Sequence, residues 1–273
     1  MKHFFGVVIL FILIMYSLKS EGTEYDKLLI ADSLKKIAYT YYDTNPVKCI
    51  AYNDSAAQIY KQFDDNRNLA LCYQNICFAY YEKLNNPQKA QDFAFKSINS
   101  WNIEQDTLAE ANIVKYLGLI QSDLGLFSEA KSNIKKAIFL FNKKGFKAGV
   151  AVSYRNLAMI YKSEHKQDSC IYYLNLNKEF FASINQYSRI FGVNNELLEC
   201  YIELNNLDEA ERIFSSNKDI LKEYKIYWQD QINFYRISKK YFERIDNKEL
   251  LDIYNKKYTH LEDSLSAKGI KVM

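Results

Sequence analysis

Two prolines and eight glycines in 273 residues leave this chain few places where a helix must stop. Pro removes a backbone donor, and Gly costs a helix about 1 kcal/mol relative to Ala. Their scarcity excludes a turn-rich or low-complexity architecture and favours helix throughout. Histidine is equally scarce, with only His3, His165 and His260. None stands at a metal-ligand spacing from another His or from a Cys, and no Gly-rich phosphate loop or nucleophile elbow occurs. No catalytic residue, metal site or cofactor is therefore expected, and the chain reads as a non-enzyme. Charge of one sign is lacking as well, since 36 Lys and Arg face 33 Asp and Glu. Nucleic-acid binders concentrate basic residues on one face, so nucleic acid is not an expected partner.

Long apolar runs are also missing, apart from one at the start. It extends from Phe4 to Leu18 behind Lys2, shorter than the roughly 20 residues a spanning helix needs. Ser20 and Gly22 are small and spaced like a cleavage site. Residues 1–22 are thus expected to be a signal peptide, with an uncleaved N-terminal anchor as the alternative. The protein is then exported, to the periplasm or the extracellular space. The membrane is a partner only if that segment stays uncleaved. The first cysteine is Cys49, too far on to be a lipoprotein site. Five cysteines leave at least one thiol unpaired within the chain. Cys72 and Cys77 are five apart, an offset that does not place them side by side on a helix.

What the chain does have is aromatic residues, 15% of the total, including 23 Tyr. Many recur on a grid of about forty residues: Tyr41, Tyr80, Tyr161, Tyr201 and Tyr241, with Gln121 in the vacant slot. Three positions earlier stands a small residue in five of six cases: Ala38, Cys77, Gly118, Ala158 and Ser238, with Leu198 the exception. One position before that is always branched and aliphatic, from Ile37 to Ile237. A second grid holds Ile50, Ala90, Ala130, Cys170, Ala210 and Leu250. Cys77 and Cys170 fall in small-residue columns and read as close-packed core. A fixed period in this range marks a solenoid, whose repeats bury their apolar faces against one another.

The third repeat shows how each is built. Ala111, Val114, Leu117, Gly118 and Gln121 form one helical face. Leu124-Gly125-Leu126 breaks it, because Gly125 takes the left-handed conformation that ends a helix. A second stripe follows, through Phe127, Ala130, Ile134, Ala137 and Phe141, and Gly145 closes it. The small pair Gly118 and Ala130 lets the two helices approach closely. Pro46 and Pro87, each after an Asn, mark second-helix starts in the first two repeats. The repeats are expected over 24–63, 64–103, 104–145, 146–183, 184–223 and 224–265, followed by a flexible tail over 266–273.

This pattern resembles the tetratricopeptide repeat family. The residues that carry the resemblance are Val114, Leu117-Gly118, Gln121, Gly125, Phe127, Ala130, Ile134 and Ala137, and again Leu197-Leu198, Tyr201, Leu207, Ala210 and Phe214. The period is near forty, where the usual repeat is 34. The surplus implies helices about a turn longer, as in extended variants of the family. The family's first aromatic is mostly absent, and its closing Pro is missing. The resemblance implies an all-α fold: a right-handed α-α superhelix of about six helix-turn-helix repeats over residues 23–265.

It also implies a concave groove lined by first helices. On this chain the groove candidates are Lys35, Tyr39, Tyr42, Gln74, Phe78, Tyr81, Asn112, Lys115, Arg155, Met159, Lys162 and Asn195. Such a groove is aromatic at its start and basic around Lys115, Arg155 and Lys162, which suits a protein or peptide guest with acidic character. The family's clamp for a C-terminal carboxylate is not expected, since Leu119 and Val152 replace its polar residues. The leading expectation is an exported, non-enzymatic scaffold for a protein or peptide. The alternative is a sensory repeat domain like the outer half of membrane-bound signalling regulators. An enzyme built from scattered residues ranks third.

Overall fold

The computed structural model describes residues 23–101 and 106–271. The expected signal peptide at 1–22 lies outside the described residues, and so do residues 272 and 273 of the expected tail. Twelve α-helices and no strand are found among the described residues. They are α1 (Glu24–Tyr41), α2 (Pro46–Gln62), α3 (Asn66–Phe78), α4 (Pro87–Ser100), α5 (Thr107–Asp123) and α6 (Phe127–Lys143). Then follow α7 (Lys147–Ser163), α8 (Gln167–Ser183), α9 (Tyr187–Glu203), α10 (Leu207–Glu223), α11 (Trp228–Arg244) and α12 (Lys248–Ser266). Each odd-numbered helix packs on the next to make a hairpin, giving the expected succession of helix pairs. The all-α helical-repeat class is therefore correct. The helices form two compact units, one ending at Phe146 and the other starting at Lys147.

From α5 to α10 every helix is 17 residues long and successive helices start twenty residues apart. Each turn between them carries one left-handed residue: Gly125, Gly145, His165, Asn185 and Asn205, with φ between 53° and 76°. The next residue donates its N–H back to a carbonyl five positions earlier, Leu126 to Gln121 at 2.8 Å and Lys166 to Tyr161 at 2.9 Å. This closes the last turn of the helix and satisfies an otherwise orphaned carbonyl. The forty-residue repeat is thus two nearly equal half-periods, the turn chemistry repeating every twenty. His165 is accounted for by this role. It is exposed and ends α7.

In the first unit, side-chain caps start the helices. Asn45, Asp65, Asn86 and Asp106 each accept the backbone N–H three residues on, ahead of Pro46 and Pro87 at two of the starts. Helix α3 continues into a π-helical turn, Ala79–Lys83. Tyr80 lies five residues before the left-handed Asn85, whereas Tyr161 and Tyr201 lie four before His165 and Asn205. The π turn takes up that additional residue.

The small-residue columns are buried as expected. Ala38, Cys77, Ala158, Ala90, Ala130, Cys170 and Ala210 are all fully inaccessible. Gly118 shows why they are small: a Cβ there would lie 2.7 Å from Ile134 Cδ1 and 3.0 Å from the Ala130 carbonyl oxygen. The tyrosine column has a shared task within the hairpin. Tyr41 stacks on Tyr52, Tyr80 on Phe93 and Tyr161 on Tyr173, with ring centroids 5.8, 5.7 and 5.5 Å apart. In the third repeat, Gln121 replaces the ring and accepts from Asn133 Nδ2 at 2.7 Å, so a polar pair spans the same place. Tyr241 departs from the pattern, stacking on Phe214 of the preceding pair at 5.8 Å. All five cysteines are buried free thiols. No helix of the described residues is long and apolar enough to cross a membrane.

Candidate functional site

In the first unit the candidate residues gather around a carboxylate that the sequence did not single out. Glu82 sits in the π turn. Its Oε2 accepts from the Tyr42 hydroxyl at 2.5 Å and its Oε1 from the Tyr116 hydroxyl at 2.6 Å. One side chain thereby ties α1, the end of α3 and α5 together. Tyr116 also lies against Phe78, with centroids 4.1 Å apart, and meets Tyr81 edge-on at 6.2 Å. Tyr81 donates to Asp123 Oδ2 at 2.7 Å. Burial and the bond to Glu82 raise the phenol pKa of Tyr42 and Tyr116 well above the ordinary value, so both stay protonated donors. Tyr39 is one turn away on α1 and 82% exposed.

The cations of this unit are placed with the rings. Lys115 Nζ lies 4.9 Å from the Tyr116 centroid and 3.3 Å from Asn112 Oδ1, and burial pulls its pKa down. Lys83 reaches Asp43 at 2.6 Å and covers the Tyr42 ring at 4.8 Å. Lys35 donates to Asn68 Oδ1 at 2.6 Å beside Asp32 and the Tyr60 ring. Gln74 is buried and contributes little surface. Tyr39, Tyr42, Phe78, Tyr81 and Lys115 therefore belong to one aromatic first-helix face. Its organising members, Glu82 and Tyr116, are not among the groove candidates of the sequence. The signal for Glu82 was present, because it stands forty residues after Tyr42 in the same column.

In the second unit the structure corrects two expectations. Asn195 is fully buried. Its Nδ2 donates to the Asp230 carbonyl at 3.0 Å and its Oδ1 accepts from Asn217 at 2.9 Å, so it holds helices together and offers no groove surface. Arg155 and Lys162 do not make a basic stretch, because each meets a carboxylate. Arg155 pairs with Glu196, its Nε at 2.8 Å. Lys162 pairs with Glu199 at 2.6 Å. Glu199 also takes Lys240 at 3.1 Å and Arg236 at 3.5 Å. Burial pushes the Glu199 carboxyl up, but the Lys162 and Lys240 partners outweigh it and hold it at about 2. Glu196 goes the other way: burial lifts its pKa despite Arg155. The helical period places Arg155 and Lys162 on one face correctly. It carries no information on the acids one repeat further along that cancel them. Met159 packs half-buried against the apolar core of this unit.

No protein-family model matches the sequence, and no curated protein matches it. Solved structures do. A signal-transduction ATPase of the STAND class from Pyrococcus horikoshii, with a tetratricopeptide repeat sensor, superposes with a TM-score of 0.71 at 18% identity. That match covers 90% of this chain and 38% of the other, so the chain spans well under half of that protein. Aspartyl phosphate phosphatase F from Bacillus subtilis gives 0.69 at 13% identity, over 93% of this chain and 64% of its own. A Rap protein complexed with competence and sporulation factor gives 0.55 at 16% identity, over 88% and 66%. At such identities the likeness carries the fold alone. The helix pairs, their left-handed turns and these neighbours agree that this chain has a tetratricopeptide-repeat-like fold.

Proposed function

We propose that the protein is an exported, non-enzymatic scaffold that captures a protein or peptide segment on the tyrosine face of its first unit. The observation that carries the reading is Glu82 joining Tyr42 and Tyr116. The rings are fixed before any guest arrives, so binding does not have to pay for ordering them. Tyrosines combine apolar area with a hydrogen-bonding tip, the chemistry that interfaces favour. Tyr39 adds an open ring beside them. Glu82, Asp43 and Asp123 line the same face with Lys83 and Lys115, so the guest is selected by aromatic contact and mixed polarity. The similar fold of a Rap protein complexed with competence and sporulation factor supports a binding role for such a scaffold. Export rests on Lys2 and the apolar run to Leu18.

The test is selection from a random peptide library on the purified protein, repeated with Tyr39→Ser. Tyr39 is exposed, so the variant keeps its fold, and a loss of about 1.4 kcal/mol corresponds to tenfold weaker binding. Peptides that bind both proteins equally would place capture elsewhere. Fusing residues 1–22 to a reporter active only outside the cytoplasm tests export, and an inactive fusion would overturn it.

A further inference from the structure

The fourth and fifth repeats carry the same buried amide, and only one of the two is saturated. Asn217 in α10 donates to the Phe191 carbonyl at 3.1 Å and to Asn195 Oδ1 at 2.9 Å, and its own Oδ1 accepts from Asn194 at 2.9 Å. Forty residues earlier, Asn177 in α8 makes the matching bond to the Ala151 carbonyl at 2.8 Å. The rest of the pattern is missing. Tyr154 and Arg155 stand where Asn194 and Asn195 would be. Tyr154 turns to the Tyr173 ring and Arg155 to Glu196. Asn177 is 1% exposed and its Oδ1 has no partner. The bond to Ala151 fixes the amide, so the open atom is the oxygen.

Asn177 lines a cleft of about 450 Å³ among α7, α8, α9 and α11. Glu196 lines it too, and its Oε2 is a second buried oxygen without a partner. Asp230 adds a second carboxylate, beside Gly192, where the lack of a side chain leaves it room, while Asn233, the other amide of the lining, accepts from Arg236. Burial lifts the carboxyl pKa of both Glu196 and Asp230, against the nearby arginines, so the charged form of each is disfavoured. A buried acceptor left unpaired has given up water without gaining a donor, which is unfavourable. Two such oxygens and a partly buried carboxylate call for a compact donor with several N–H groups. Val152 and Phe181 supply an apolar wall for a carbon chain.

We propose that this cleft binds a primary ammonium group, accepted by Asn177 Oδ1, Glu196 and Asp230. An ammonium has three donors and no acceptor, which matches three acceptor groups. Arg155 is already committed to Glu196 Oε1, and the exposed Arg189 stands at the rim, where a carboxylate or carbonyl of the same ligand would meet it. The ammonium has two sources, a free small amine or a lysine side chain of a bound polypeptide. The site lies in the second unit and does not rest on the tyrosine face of the first.

The experiment is titration of the full chain, followed by amide NMR, with n-butylamine, 5-aminovalerate, Nα-acetyl-lysine amide and Nα-acetyl-norleucine amide, which has no ammonium group. Saturable shifts at Gly192, Val193 and Asn177 are expected with the amines and not with the norleucine compound. Binding by the free amines identifies a small-molecule source, and binding by acetyl-lysine amide alone identifies a lysyl side chain. Val152→Trp fills the cleft from its exposed edge without touching the polar groups. It should weaken binding by about tenfold or more at unchanged melting temperature. Glu196→Gln should weaken it similarly. Equal binding of the norleucine compound, an unaffected Val152→Trp variant, or no saturable shift up to ~10 mM amine would overturn the proposal.

Discussion

Gly118 and Gly192 both sit inside helices, yet alanine at the two positions should act with opposite sign. Helix propensity alone favours alanine by about 0.5–1 kcal/mol at either position. At Gly118 the new Cβ would lie 2.7 Å from Ile134 Cδ1, 2.8 Å from its Cγ1 and 3.0 Å from the Ala130 carbonyl. Ile134 is fully buried and the carbonyl belongs to α6, so neither moves without shifting the helix. Overpacking of this kind costs about 1–3 kcal/mol. The propensity gain offsets part of it, and Gly118→Ala should be destabilising by about 1–2 kcal/mol. At Gly192 the nearest atom to a new Cβ is Asp230 Oδ1 at 3.4 Å, an ordinary contact. Gly192→Ala should therefore be neutral to stabilising, by up to about 1 kcal/mol. Urea unfolding followed by circular dichroism, with midpoints and slopes compared, reads both. Ile134→Val removes the closest methyl, so in the Gly118→Ala background it should recover part of the loss. A Gly118→Ala protein as stable as the parent would refute the close approach of α5 and α6, and with it the reason for the small-residue column.

Glu199 gives a pH-dependent prediction. Its folded pKa of about 2 lies below the unfolded value, so its contribution is present above about pH 5 and is lost as pH falls towards 2. Lys240 and Arg236 are about half exposed, and solvent screening reduces that contribution to about 1–2 kcal/mol. Glu199→Gln should be less stable than the parent by that amount at pH 7 and equal to it near pH 2; a gap unchanged with pH would rule out the charge cluster as its origin. The thiols give another prediction. Cys72 and Cys77 are buried, and burial pushes both up to about 12. A thiol reagent at pH 8 should modify them only at the rate of unfolding, and fast labelling of the native protein would contradict their burial.

Much of the fold could be read from the order of the residues. The left-handed turns at Gly125 and Gly145, the Pro starts at 46 and 87, and the small columns at Gly118 and Ala130 all depend on local sterics. Local sterics are written residue by residue. The twenty-residue half-period was less visible, because His165, Asn185 and Asn205 fill the role that glycine announces elsewhere. The candidate surface was legible only in part. Tyr42, Phe78 and Tyr81 were found because they repeat on the first helices. Glu82 stands out less, because its column holds Tyr42, Ser122 and Lys162 in other repeats and has no shared residue type. Asn195 is misplaced by the period because it stands forty residues after Arg155 and eighty after Lys115, and nothing along the chain shows that Asp230 and Asn217 enclose it.

Sequence by itself determined the helices, their pairing and the side of each that faces inward, because these follow from a period of 3.6 residues and from backbone conformations available to single residues. Only the tertiary structure decided which charges cancel and which polar atoms are left over. Arg155 meets Glu196 forty-one residues on, Glu82 joins two tyrosines from flanking helices, and Asn177 keeps an open oxygen where Asn217 does not. Such pairings hinge on distances of a few tenths of an ångström between side chains from different helices. That spacing is set by how the helices pack, and the pattern along any one of them does not contain it.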